Sequence, residues 1–197
     1  MASDFYSRIY DVAMVPLEHL HLRELRSWLL PQAVGRVLEV GAGTGAALSY
    51  YDYRSVDSLT LVDRDLRPAL SSRASEIDAP TAVHELSVES LSFADGVFDT
   101  TVSNLVFCTV EDPAQGLHEL FRVLKSGGRH LFMEHVRPED HLRGHLFDAL
   151  TPAWRRVAGG CHLNRNTVSL IEAAGLTVRA LRNAARGVFV AGVAEKP

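Results

Sequence analysis

Two carboxylates and a run of glycines are the residues of this sequence whose spacing most directly implies chemistry. Val37-Leu38-Glu39-Val40 is an apolar segment of strand character, and it runs into Gly41-Ala42-Gly43-Thr44-Gly45, a turn expected to open a helix. Glycine at alternate positions allows positive φ and lets a ligand reach the backbone amide donors with no side chain in between. A second apolar run, Leu59-Thr60-Leu61-Val62, ends in Asp63. A carboxylate at the end of the strand after such a turn is placed to accept hydrogen bonds from both hydroxyls of a ribose. Taken singly, the turn is a common strand-to-helix connection and the aspartate a common helix cap. Together they point to an adenosine-containing ligand.

The elements that must position these residues are legible along the whole chain. Short apolar or β-branched runs at 37–40, 59–62, 82–86, 97–103, 129–136, 176–180 and 188–193 give seven candidate strands. Asp112 and Pro113 start a helix that carries Leu117, Leu120, Phe121 and Leu124 at helical spacing, and Lys125, Gly127 and Gly128 are expected to stop it. Asn166 caps another, with Leu170, Ile171 and Ala174 inward and Gly175 at its end. Alternating strands and helices predict an α/β fold, doubly wound about a mainly parallel sheet. Only 183–187 separate the last two runs, too few residues for a crossover, so these two strands pair antiparallel. The stretch Phe5 to Leu30 reads as helix interrupted at Pro16, a lid for the ligand crevice. Residues 1–197 are read as one domain with 1–30 as that lid.

Composition limits the alternatives. With 197 residues, 47% of them hydrophobic and 22% charged, the chain can bury a core of its own. The net charge is −4 and arginines such as Arg54, Arg64, Arg122 and Arg155 are dispersed among acids, which argues against a nucleic-acid partner. Neither a membrane-spanning run nor a secretory leader is visible, so a cytoplasmic location is expected. The two cysteines, Cys108 and Cys161, are far apart in sequence and are read as free thiols. His141 and His145 share a helix face, but no carboxylate accompanies them at a metal-motif spacing, and no metal is expected.

Glu39 to Gly45, Asp63, and Arg122-Val123-Leu124-Lys125-Ser126-Gly127-Gly128 resemble three motifs of the class I S-adenosylmethionine-dependent methyltransferases that modify small molecules. The resemblance implies a seven-stranded Rossmann-like sheet of order 3-2-1-4-5-7-6 with strand seven antiparallel, and S-adenosyl-L-methionine as cofactor. It further implies that Glu39 helps hold the methionine part, that Gly41, Ala42, Gly43, Thr44 and Gly45 form the cradle, and that Asp63 with Arg64 faces the ribose. Ser87 or Glu89 then supplies the adenine contact, with the Val88 amide as a second donor, and Asn104 and Leu105 border the cofactor after strand four. Tyr10 is placed over its methionine end.

Phe132-Met133-Glu134-His135-Val136, Pro152-Ala153-Trp154 and Gly160-Cys161-His162-Leu163-Asn164-Arg165 resemble more narrowly the thiol methyltransferases and their bacterial phospholipid or quinone methyltransferase relatives. On that reading the acceptor is small and apolar, with a thiol ahead of a phospholipid amine or a quinone. His135 is then the candidate base, and Tyr6, Phe107, Cys108 and Trp154 the candidate pocket walls. Gly41, Gly43 and Ala46 also satisfy a relaxed dinucleotide fingerprint, so an NAD-dependent oxidoreductase and a catalytically silent cofactor-binding module stay open at this point. The oligomeric state is not legible.

Overall fold

The computed structural model describes residues 22–197. Tyr6, Tyr10 and most of the expected lid lie outside the described residues. In chain order the elements are α1 (Arg23–Leu29), β1 (Gly35–Val40), β2 (Val56–Asp63), α2 (Pro68–Ala74), β3 (Thr81–Glu85), β4 (Phe98–Asn104), α3 (Pro113–Val123), β5 (Leu124–His135), α4 (His141–Val157), α5 (Thr167–Ala173), β6 (Thr177–Ala184) and β7 (Phe189–Glu195). All seven apolar runs become strands of one sheet, ordered β3-β2-β1-β4-β5-β7-β6. β1 pairs parallel with β2 and β4, while β7 is antiparallel to both of its neighbours, β5 and β6.

The inner strands bury residues on both sides because both faces of the sheet are covered. Val37, Leu61, Leu131 and Met133 point into one core, with Leu25 and Leu29 of α1 and Leu70 of α2. Their neighbours Leu38, Val62 and Phe132 point into the other, with Leu117 and Leu120 of α3 and Ile171 of α5. Each fully buried leucine or phenylalanine contributes roughly 1.5–3 kcal/mol, so strand register is fixed from both sides at once.

Two helix boundaries differ from the sequence reading. α3 starts as expected, with the Asp112 carboxylate accepting from Gln115 N at 3.0 Å, but it ends at Val123, before the glycines. Leu124 turns extended, buries its side chain completely and pairs with Phe98, so Lys125 to Gly128 become the irregular start of β5. The glycine turn, in turn, opens no α-helix. Residues 46–55 pass through two single 3₁₀ turns, Leu48–Tyr50 and Tyr53–Ser55, before β2. Tyr50, Tyr51 and Tyr53 are poor helix formers, and Asp52 caps the second turn by accepting from Arg54 N, which leaves no length for a helix.

Arg122, in the segment before β5, ties the β3–β4 connection to α3. Its guanidinium donates to Glu119 at 2.8 Å, Asp95 at 2.7 Å, and the carbonyls of Phe93 at 2.7 Å and Leu91 at 2.9 Å. Arg122→Met is expected to lower the unfolding free energy in urea by roughly 1.5–3 kcal/mol, the range for charge-assisted hydrogen bonds that are partly solvated, with the far-ultraviolet circular dichroism of the native state unchanged.

Candidate functional site

The loops following β1, β2, β3 and β4 meet at the carboxyl edge of the sheet around a cleft of about 590 Å³. Of the residues singled out in the sequence, Gly41, Gly43, Asp63, Arg64, Ser87, Val88, Glu89 and Leu105 line it. Val106, Thr109 and Val110 from the loop after β4 and Val157, Ala158 and Gly159 at the end of α4 complete the wall. Those last three carry no sequence motif that would have drawn attention to them.

The glycine turn has the conformation its composition requires. Gly41 and Gly43 have φ of 66° and 57°, where a side chain is strained. A Cβ at Gly41 would overlap Val106, whereas one at Gly43 would meet only the Gly41 carbonyl and would stand in the cleft. Asp63 at the end of β2 accepts from Gly43 N at 2.7 Å through Oδ2 and from Asp65 N at 3.0 Å through Oδ1. The acid therefore also fixes the turn beside it.

Behind the turn Glu39 is 1% exposed, and its Oε2 accepts from the Tyr51 hydroxyl at 2.8 Å. Burial pushes its carboxyl up to about 7, against the smaller opposing effects of Tyr51, Asn104 and the positive charge of Arg26. Tyr51 and Arg26 escaped the sequence reading, Tyr51 because its approach to Glu39 depends on the two 3₁₀ turns. Asn104, at the end of β4, has its amide buried beside Glu39. Ser87 donates to Glu89 Oε2 at 3.1 Å, while Glu89 Oε1 accepts from Asp112 N at 2.6 Å. Glu89 thus braces the start of α3 from the floor of the cleft.

The expected acceptor residues are placed differently. Leu105 has φ of 56° and donates its amide to the Met133 carbonyl at 2.7 Å, a strained left-handed position that turns the chain sharply after β4. Glu134, not singled out from its string in the sequence, is fully buried. Its Oε1 accepts from Val106 N at 3.3 Å, and burial, opposed by the backbone amides of this loop, pushes its carboxyl to about 7. Arg165 donates to the carbonyls of Phe107 and Val110, both at 2.6 Å. Held this way, Phe107 turns its ring into the core against Gly116 of α3 and is 0% exposed, so it is no wall of the cleft. Cys108 is likewise buried and not part of the cleft lining, packed with Ala158 and Cys161 just behind it. Trp154 is 40% exposed on α4 and is not among the lining residues of the cleft.

His135 requires the largest correction. Its ring is stacked on Phe147 at a centroid separation of 5.9 Å and meets the edge of Phe189 at 5.4 Å. Burial depresses it to about 4, and Nδ1 has no partner. An imidazole that resists protonation near neutral pH is a packing group between β7 and α4, a poor proton acceptor.

A family model described as a methyltransferase domain matches residues 38–132. The rat thiol S-methyltransferase TMT1B is 33% identical over 144 residues, 70% of this chain and 58% of that protein. The chain carries a methyltransferase domain. The ubiquinone/menaquinone biosynthesis C-methyltransferase UbiE of Roseobacter denitrificans is 31% identical over 139 residues, 66% of this methyltransferase and 54% of UbiE. The chain spans little more than half the length of these two curated relatives. An S-adenosylmethionine-dependent methyltransferase from Mesorhizobium loti, 16% identical, shares the fold with a TM-score of 0.69 over 88% of this chain and 96% of that one.

The residues of this methyltransferase fit S-adenosylmethionine. The space a Cβ of Gly43 would fill, the Asp63 carboxylate on the cleft, and the buried Glu39 and Asn104 side chains behind the turn offer backbone approach, hydroxyl acceptors and polar contacts. Gly43→Val is expected to abolish binding of S-adenosylhomocysteine by isothermal titration calorimetry while the protein stays folded by circular dichroism, because the branched side chain occupies the cleft.

A Glu39 carboxylate that receives the cofactor's ammonium is expected to make binding pH-dependent. Its folded-state value of about 7 lies above the ordinary 4.5. Its contribution to the stability of the free protein is therefore complete below pH 4.5 and is lost as pH rises through about 7. A ligand ammonium needs the ionised carboxylate, so affinity for S-adenosylhomocysteine should rise between pH 6 and 8 with release of a proton. Glu39→Gln should flatten that rise and weaken binding at pH 8; calorimetry in buffers of different ionisation enthalpy measures both.

Proposed function

We propose that this methyltransferase transfers the methyl group of S-adenosylmethionine to a small apolar thiol. The observation that carries the reading is the state of His135. The imidazole expected to serve as base is buried and held down to about 4, so the acceptor the site suits is one that ionises without help. Thiols, with ordinary values near 8.5, do so close to neutral pH, whereas amines and phenols, near 10, do not. Similarity to a thiol S-methyltransferase supports the same class. An exposed apolar stripe on α4, from Leu142 at 81% through Leu146 and Leu150 to Val157 at 63%, ends on the rim of the cleft and suits an apolar acceptor.

In the bound state S-adenosylmethionine supplies a methyl group already activated on a sulfonium, so the protein's work is mainly orientation and exclusion of water. Asp63 holds the ribose hydroxyls, with Arg64 beside it at the rim. The Gly41 to Gly45 backbone cradles the cofactor, and Glu39 with Asn104 receives its amino-acid end. Ser87 and the Val88 amide take the adenine edge, Glu89 acting through Ser87 and α3. Leu105 brings the loop after β4 against the reacting centre, with Glu134 and Arg165 fixing that loop from behind. Tyr10 and Tyr6 are assigned to the covering of the cofactor and acceptor. No helix of the described residues is long and apolar enough to cross a membrane, and the dispersed arginines favour a small molecule over nucleic acid. These features support a cytoplasmic setting, and the single continuous sheet supports reading 1–197 as one domain.

The test is a rate profile. With a small aromatic or aliphatic thiol, turnover should climb with pH and level off at the thiol's own pKa, and His135→Ala should keep that profile while losing about 1–3 kcal/mol of stability through its emptied ring site. A profile that collapses at neutral pH in His135→Ala, or wild-type protein that methylates amines or quinones and no thiol, overturns the reading.

A further inference from the structure

Cys108 and Cys161 are the two cysteines of the chain, and the fold brings them together. Both are nearly inaccessible, at 2% and 6% exposure, and they share a small cluster with Ala158. The backbone fixes their approach, since His162 N donates to the Cys108 carbonyl at 2.7 Å. With ordinary bond lengths on either side, the two Cα atoms lie within about 7.5 Å of each other, next to the roughly 4.4–6.8 Å that disulfides span. A buried thiol pair contributes nothing to methyl transfer, which passes through no enzyme-bound sulfur intermediate.

We propose that Cys108 and Cys161 form an oxidisable dithiol that a hydroperoxide converts to an intramolecular disulfide, stapling the loop after β4 to the segment after α4 at the rim of the cleft. Cys161 is the attacking thiol. The neighbouring Cys108 thiol, the Trp154 indole and the charge of Arg165 all lower its pKa, while the same pairing and burial raise that of Cys108. Its thiolate attacks the distal oxygen of the hydroperoxide, the O–O bond breaks, and an alcohol, or water from hydrogen peroxide, leaves. The Cys108 sulfur then attacks the sulfenic sulfur of Cys161, the S–O bond breaks, and water leaves. Two thiols and one hydroperoxide thus give one disulfide, one alcohol and one water, the first step of the cysteine oxidation ladder followed by condensation with the second thiol.

Access and consequence both follow from position. Gly159 and Gly160, immediately before Cys161, have φ of 59° and 91°, Gly159 lines the cleft and a Cβ on it would touch nothing, so the backbone beside Cys161 is open on the side from which a small oxidant arrives. Thr109 and Val110 on one side and Ala158 and Gly159 on the other line the cleft, so the bond fixes the cleft's width. This inference does not depend on the identity of the methyl acceptor.

The experiment uses reduced, desalted, full-length protein treated with one to three equivalents of hydrogen peroxide. Expected are a monomer lighter by about 2 Da in intact mass, a peptide linking Cys108 to Cys161 in a non-reducing digest, and reversal by dithiothreitol. Binding and release of S-adenosylhomocysteine, by stopped-flow, should both slow at least threefold in the oxidised form. Cys108→Ser, checked for folding by circular dichroism, should instead accumulate a dimedone-reactive sulfenic acid on Cys161. A disulfide-linked dimer, a wild-type product heavier by two or three oxygen atoms, or no reaction at concentrations that oxidise free cysteine would overturn the dithiol. A bond that forms with exchange rates unchanged would overturn the stapling.

Discussion

The turn after β1 lies so close to the loop after β4 that no side chain fits between them. Gly41 sits against Val106 at a separation that even one extra carbon would violate, and each partner is held from elsewhere: the turn by the Asp63 carboxylate, the loop by Glu134 from below and Arg165 from the side. A cleft between two loops is usually a mobile place. Here both of its walls are pinned by carboxyl and guanidinium groups reaching across from neighbouring strands and segments, and the cost of withdrawing these polar groups from water is offset by their hydrogen bonds to the backbone.

That arrangement separates two kinds of carboxylate. Asp63 stands at the rim and accepts from backbone donors. Glu39 and Glu134 are withdrawn from water and sit close to the midpoint of their titration near neutral pH. A buried carboxyl in that state can exchange its proton for a ligand's positive charge with little rearrangement, which gives this edge of the sheet sensitivity to what binds there without any moving element.

The sheet was legible in the sequence because its central strands carry apolar residues buried on two faces, and the short 183–187 connection admits only an antiparallel pair. The Gly41 to Gly45 turn and Asp63 were legible for the same local reason, since backbone conformation and strand ends are written in adjacent residues. What lay beyond local reading depends on packing at a distance. His135 looks chemically suited to proton transfer, but Phe147 and Phe189, from other elements, surround its ring. Phe107 looks like a pocket wall until Gly116 is seen to leave room for it in the core. Cys108 and Cys161 are separated by three elements of chain, α3, β5 and α4, and nothing in their spacing records that the fold brings them back together.

The position of β7 has a consequence for the order in which the chain can be assembled. β5, whose Leu131, Phe132 and Met133 are wholly buried, takes β7 as its second neighbour, and β7 follows it by more than fifty residues, after β6. Until β7 has emerged from the ribosome, β5 presents an unpaired apolar edge, the kind of surface that recruits other strands. β6 cannot cover it, because β6 joins the sheet only through β7. The nascent protein therefore carries its most aggregation-prone edge through the synthesis of α4, α5 and β6, and the step that buries it is the insertion of a late strand between two earlier ones.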